Sequence, residues 1–110
     1  MNAEDAAGAY ELDGRELIAQ AAGLRVQVLT LGPGQCVPWH RHTSITDTFF
    51  CLDGPMVVET RAPEARQMLE VGGRAAVPAG RPHFVSGVDA GPCRFVIVQG
   101  VGKYDYVPEG

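Results

Sequence analysis

The chain is poor in the residues that most polyanion-binding surfaces require. Its nine basic residues include a single lysine, Lys103, and the arginines are scattered from Arg15 to Arg94 without a cluster. Formal net charge is -4, with a pI near 5.2. A mildly acidic domain of this kind argues against nucleic acid or an anionic lipid surface as partner. Cysteine is scarce too. Cys36, Cys51 and Cys93 are odd in number and have no C-x-x-C spacing, which excludes a disulfide framework and a zinc ribbon. Each sits beside apolar residues and is expected as a buried reduced thiol. No apolar run approaches the ~20 residues of a membrane-spanning helix. The first residues, MNAEDAAGAYELDG, lack the basic start and apolar middle of a secretion signal. A cytoplasmic, reducing location is the expectation.

The sequence is rich in turn formers. Within 110 residues there are 14 glycines and 8 prolines, which favours many short strands over a helical bundle. The length fits one domain. Residues 1–9 read as a loosely attached end, and Tyr10–Ala21 carries only a weak amphipathic or strand signal. Residues 1–22 are therefore assigned to an N-terminal segment packing on a barrel or on a partner, and residues 23–110 to the barrel.

Strand signals are clear from Leu24 onward. Leu24–Leu31 (LRVQVLTL) alternates apolar and polar residues and ends at Gly32-Pro33-Gly34. Cys36–His42, Asp47–Leu52, Met56–Arg61, Gln67–Val71, Arg74–Val77, Pro82–Ser86 and Arg94–Gln99 follow, separated by glycine- and proline-containing turns. Strands at this spacing predict an all-β sandwich or barrel. Phe49-Phe50-Cys51-Leu52 and Phe95-Val96-Ile97-Val98 are apolar on both faces, whereas a solvated antiparallel sheet alternates. A second subunit covering the outer face is the preferred expectation, hence a homodimer. Trp39, of opposite parity to His40, points away from any histidine-lined interior and suits an interface.

There are three histidines, His40, His42 and His83. Residues two apart on a strand share a face, so His40 and His42 project side by side. Two converging neutral imidazoles can chelate Zn, Fe, Mn, Ni or Cu. Asp47 follows His42 by five residues, and a hairpin at Thr43-Ser44-Ile45-Thr46 would bring it onto the neighbouring strand, facing the pair. His83 follows Pro78-Ala79-Gly80-Arg81-Pro82, where proline second and glycine fourth suit a type I turn.

At this point the chain resembles the cupins. Gly34-QCVPW-His40-Arg-His42-TSIT-Asp47-TFFCLD-Gly54 keeps every spacing of the first cupin motif, G(X)5HXH(X)3–4E(X)6G. Gly72-GRAAV-Pro78-Ala-Gly80-RP-His83-FVS-Gly87 follows the second, G(X)5PXG(X)2H(X)3N, with glycine in place of its asparagine. The resemblance spans about half the chain. It implies an all-β double-stranded β-helix (jelly-roll) barrel holding one mononuclear divalent metal, Fe, Mn, Zn or Ni. The implied ligands are His40, His42, Asp47 and His83. Asp47 is one methylene shorter than the family's glutamate, so it either binds the metal through closer strands or orients a histidine.

Parity places Phe49 and Cys51 on the face of Asp47, and Arg81 and Val85 on that of His83. These four are the expected pocket wall around a small aromatic or carbonyl-containing ligand. No catalytic residue is assigned. Ser44 and Ser86 have no free histidine base, and Glu59 is expected to be solvated. The function implied is that of a metal-dependent small-molecule enzyme, with dioxygenase, isomerase and cyclase chemistries all open; a non-catalytic binder or sensor, or a structural barrel without metal, are the other readings.

Overall fold

A computed structural model describes residues 10–110; the expectation for residues 1–9 falls outside the described residues. Ten strands follow in order: β1 (Gly14–Ala21), β2 (Leu24–Leu31), β3 (Cys36–Arg41), β4 (Thr46–Asp53), β5 (Met56–Thr60), β6 (Ala65–Leu69), β7 (Arg74–Val77), β8 (His83–Gly87), β9 (Cys93–Gly100) and β10 (Val107–Pro108). One 3-10 turn, Val88–Ala90, interrupts them. Among the described residues no helix is long and apolar enough to cross a membrane.

The strands form two five-stranded sheets, ordered β1-β2-β9-β4-β7 and β10-β3-β8-β5-β6, with every pairing antiparallel. The protein is thus all-β. Alternation along each strand sends one set of side chains between the sheets. In β9, Cys93, Phe95, Ile97 and Gln99 are buried and the residues between them are half-buried or exposed. In β4 the buried set is Asp47, Phe49 and Cys51.

Register converts this alternation into rows across the first sheet. Leu29 pairs with Phe95, which pairs with Cys51. The next inward row is Gln27, Ile97, Phe49 and Ala75, and the next is Arg25, Gln99, Asp47 and Val77. In the second sheet His40 lies opposite His83, which lies opposite Thr60, above a row of Val37, Val85 and Val58. The interior is therefore apolar over most of its depth and polar at one end. Leu29, Leu31, Phe49, Met56, Phe95 and Val85 build the apolar part, each at most 2% exposed. Burying side chains of this size stabilises by about 1.5–3 kcal/mol each.

Three local expectations need correction. First, β3 and β4 are not hairpin neighbours: β3 belongs to the second sheet and β4 to the first. The link Thr43–Ile45 crosses between the sheets, with Ile45 buried at 1% exposure. Asp47 thus faces the histidines across the interior. Second, the turn before β8 runs from Pro78 to Arg81, closed by Arg81 N–H donating to the Pro78 carbonyl at 3.3 Å. Gly80 occupies its third position at φ +84°, the left-handed value of a type II turn. Third, β6 begins and ends two residues earlier than Gln67–Val71. The Glu70 carbonyl accepts from Gly73 N–H at 2.8 Å, which draws Val71 into the following turn at 69% exposure.

Candidate metal centre

His40 and His83 are register partners on the adjacent strands β3 and β8 of the second sheet. His42 stands just beyond β3, held by Gly80 N–H donating to its carbonyl at 2.7 Å. Asp47 comes from the opposite sheet. All four are buried, at 3%, 2%, 1% and 1% exposure for His40, His42, His83 and Asp47. One ligand atom from each lies within 4.8 Å of the other three.

Orientation of the rings matters more than their proximity. Each histidine has its Nδ1 against a main-chain carbonyl: His40 at 2.8 Å from Pro38, His42 at 2.5 Å from Asp105, His83 at 3.0 Å from Arg81. A carbonyl only accepts, so each Nδ1 carries the proton. The neutral ring then presents a bare Nε2 lone pair, and all three Nε2 atoms point inward. His42 and His83 Nε2 each lie 2.8 Å from Asp47 Oδ2, and His40 Nε2 lies 3.2 Å from His42 Nε2. Lone pairs facing one another and a carboxylate at such distances repel unless a cation, or protons, stand among them. Orientation of ligand histidines by outer hydrogen bonds is the common arrangement of metal sites. The group could hold a metal.

A model of the cupin domain matches residues 27–99, more than half of the chain. The chain belongs to the cupin family. No curated protein sequence matches it. Solved structures do. TT1209 from Thermus thermophilus is 28% identical, with a TM-score of 0.69 over 80% of this chain and 82% of that one. A protein with a double-stranded beta-helix domain from Klebsiella pneumoniae subsp. pneumoniae MGH 78578 is 22% identical, with a TM-score of 0.71 over 88% and 84%, a likeness of fold alone. A structure of the DMSP lyases RdDddP and RnDddQII is 26% identical, with a TM-score of 0.67, but this cupin spans only 46% of that chain.

Burial and charge act against each other within the four-residue group. Burial lowers the pKa of His40, and the nearby Asp47 carboxylate only partly offsets it, so the ring is held neutral. Burial pulls the same way on His42, but there Asp47 and the Asp105 carbonyl outweigh it and the pKa rises. Burial alone would raise the carboxyl of Asp47; the three imidazoles around it hold it well below the usual carboxylate range. Asp47 is therefore an anion facing the ring nitrogens, as a metal ligand must be.

The expected wall residues are distributed over different depths of the cupin barrel. Phe49 stands directly beneath the group, its ring centroid 6.1 Å from that of His83. Val85 lies one inward row deeper than His83, in the apolar core. Cys51 is two rows from Asp47, beside Phe95 and under the Gly54 turn, where an added Cβ would meet its Sγ at 2.8 Å. Burial raises the thiols of Cys51 and Cys93, the latter to about 11, so both are weak nucleophiles. Arg81 contributes its carbonyl, the acceptor for His83. Trp39 faces outward, with the Arg61 guanidinium 3.8 Å above its ring and Phe84 beside it at 5.7 Å. Glu59 is half-buried on the same outer side.

Residues that the motifs do not contain surround the centre. The Tyr106 ring stacks on His40 at 4.6 Å and 15°, and Tyr104 lies 5.4 Å from His42. Gln99 donates to Asp47 Oδ1 at 3.3 Å and accepts from Arg25 and Gln27. One sequence signal points to this row. In LRVQVLTL the apolar positions change phase between Val28 and Leu29. A strand that buries Leu29 and Leu31 must also turn Arg25 and Gln27 inward, and its burial pattern does so. Tyr104 and Tyr106 follow β9 and have no such signature; only the return of the chain to pair β10 with β3 brings them over the histidines.

Proposed function

We propose that this cupin is a metal-dependent enzyme acting on a small oxygen-bearing molecule, with one divalent ion held by His40, His42, His83 and Asp47. The observation carrying the reading is that three main-chain carbonyls fix all three Nδ1 protons, leaving three Nε2 lone pairs converging on one carboxylate. Three imidazoles and a carboxylate suit Fe, Mn, Zn or Ni. Such an ion would polarise a carbonyl or, if redox-active, bring O2 into reaction.

Dioxygenase chemistry is the favoured reaction class. Among the described residues every buried imidazole and carboxylate belongs to the ligand group, so no independent base stands beside it. O2 chemistry makes the least demand for one. Phe49 beneath the group offers an apolar surface suited to an aromatic or carbonyl compound. A Lewis-acid isomerase or cyclase is the second reading, favoured by Tyr104 and Tyr106. Burial raises both phenols, Tyr106 to about 12, which keeps them protonated as proton donors.

Elemental analysis of protein purified without added metal is expected to find about one divalent ion per chain, since four ligand groups converge on one point. Iron with O2 uptake supports the dioxygenase; zinc or nickel without it supports the second reading. Protein that is metal-free and takes up none of the four ions would remove the basis of both.

We infer in addition that the cupin works as a cytoplasmic homodimer. Val26, Val28, Phe50, Leu52, Val96 and Val98 turn to the outside of the first sheet only half-buried, and Leu17 and Ile18 on its edge strand are 55% and 53% exposed. An apolar sheet face of this extent favours association. The three free cysteines agree with a reducing compartment. Sedimentation at micromolar concentration is expected to give twice the chain mass of 11.7 kDa; a single-chain mass would refute the dimer.

A further inference from the structure

The histidine group is sealed. His40, His42, His83 and Asp47 are exposed by 3%, 2%, 1% and 1%, so anything that reaches them must pass a wall. Paired strands of the two sheets make the side walls. The end over the rings is closed differently, by the chain that follows β9. Tyr104 lies 5.4 Å from the His42 ring, and Tyr106, 5% exposed, stacks on His40 at 4.6 Å. Between them the Asp105 carbonyl meets His42 Nδ1 at 2.5 Å.

Among the described residues the ties of this strap, residues 103–110, are few and lie at or near the surface. The Asp105 carboxylate accepts from Thr43 N–H at 2.7 Å and from the Thr43 hydroxyl. The Glu109 carboxylate accepts from Arg41 Nε at 2.9 Å, with the two side chains 30% and 37% exposed. Glu109 N–H donates to the Trp39 carbonyl at 3.0 Å, and Arg61 donates to the Gly110 carbonyl at 3.1 Å. The β10 strand is only two residues long, and its Pro108 has no N–H to give. A groove of about 350 Å³ runs between strap and sheet, with Tyr106, Pro108 and Gly110 on one side and Pro38, Trp39 and Phe84 on the other. The strap is therefore not packed flush against β3 and β8. At its root Gly102 has φ +147°, a value that suits glycine and a hinge. A segment held in this way opens far more readily than a strand paired along both edges.

We propose that residues 103–110 form a hinged strap whose opening admits ions and ligands to the histidine group, with the Asp105–Thr43 contact as its latch. Closing brings both tyrosine rings over the histidines and returns the Asp105 carbonyl to His42 Nδ1. One movement thus excludes water and sets the orientation of one imidazole. That a metal ion is among what passes rests on the metal-enzyme reading given above; the strap itself rests on the burial of the rings and on the contacts that hold it.

The three histidines of the chain all belong to this group, so acylation of imidazole by diethyl pyrocarbonate reports its opening. Full-length protein freed of metal is expected to react much more slowly than N-acetylhistidine. Asp105→Ala removes two hydrogen bonds to a charged acceptor and is expected to react about tenfold faster than wild type, with its melting curve recorded on the same sample. Thr43→Ser keeps the hydroxyl and is expected to react as wild type does. Thr43→Val loses the hydroxyl alone; it is expected to fall between wild type and Asp105→Ala, and it covers the case in which the alanine variant does not fold. Asp53→Ala is the control: it breaks an equally superficial pair, with Arg94 at 3.0 Å, at the far end of β4, and is expected to change nothing. The strap is overturned if wild type reacts as fast as N-acetylhistidine, if neither Asp105→Ala nor Thr43→Val reacts faster than wild type, or if Asp53→Ala speeds the reaction as much. Cobalt(II) supplies the second measurement. Opening an entrance quickens both loading and removal by EDTA, by the same factor of about ten in Asp105→Ala; removal that quickens while loading does not marks a weakened site and overturns the gate. Protein that takes up no cobalt removes the metal reading, while the acylation rates still decide the strap.

Discussion

Protein carrying His83→Ala is expected to leave purification with less than about a tenth of the wild-type metal. Loss of a partner that merely orients a ligand costs 10–100-fold in metal affinity, and His83 is proposed as a ligand itself. Its Nδ1 is fixed by the Arg81 carbonyl, its Nε2 lies 2.8 Å from Asp47 Oδ2, and its backbone is registered against His40. Deleting the ring removes one of three lone pairs and leaves Asp47 less compensated. Trp39→Ala is the matched control. Trp39 adjoins His40 in sequence but lies on the outer face against Arg61 and Phe84, so its loss is expected to leave metal content unchanged. Equal metal in wild type and His83→Ala, by elemental analysis, would show that the ion sits elsewhere.

Gly87→Asn restores the residue of the second cupin motif and is nonetheless expected to destabilise the fold by about 3 kcal/mol. A Cβ at Gly87 would lie 1.9 Å from the Gly91 carbonyl oxygen and 2.7 Å from its carbon. The obstacle is main chain, so no rotamer change relieves it. Gly87 has φ -72°, so conformational freedom is not the reason for glycine here; close approach of the Val88–Gly91 turn is. Gly91 N–H donates to the Val88 carbonyl at 3.0 Å, and Val88 N–H to the Pro55 carbonyl at 3.1 Å, which hold that turn against β8. A loss of this size lowers the melting temperature of a domain of this length by roughly 10–20 °C. Gly87→Ala is expected to cost nearly as much, since the clash arises at Cβ. An alanine variant as stable as wild type in thermal melts would disprove the steric account.

The departures from the motifs therefore have different physical origins. Glycine at 87 follows from a local turn packed on β8. Aspartate at 47 is accommodated because its Oδ2 already lies 2.8 Å from two imidazoles, so the shorter side chain needs no further reach.

Much of the fold could be read directly. Alternation and turn residues located eight of the strands, because each depends on neighbours a few positions away. The edge strand β1, largely exposed, and the two-residue β10 have little apolar patterning and left only a weak trace or none. The three histidines and Asp47 were legible through their spacing. Their actual meeting was not derivable from parity, since it needs β3 and β4 in opposite sheets.

By itself, then, the sequence determined the strand pattern, the spacing of its three histidines and Asp47, and the likeness to cupins. Tertiary structure alone decided which carbonyls hold the imidazoles, that Arg25, Gln99 and Asp47 form one row, and that Tyr104 and Tyr106 close over the centre. Periodicity is a local property that a chain displays residue by residue. Inter-strand register and sheet-to-sheet contact join positions as far apart as Arg25 and Gln99, and they exist only once the barrel has closed.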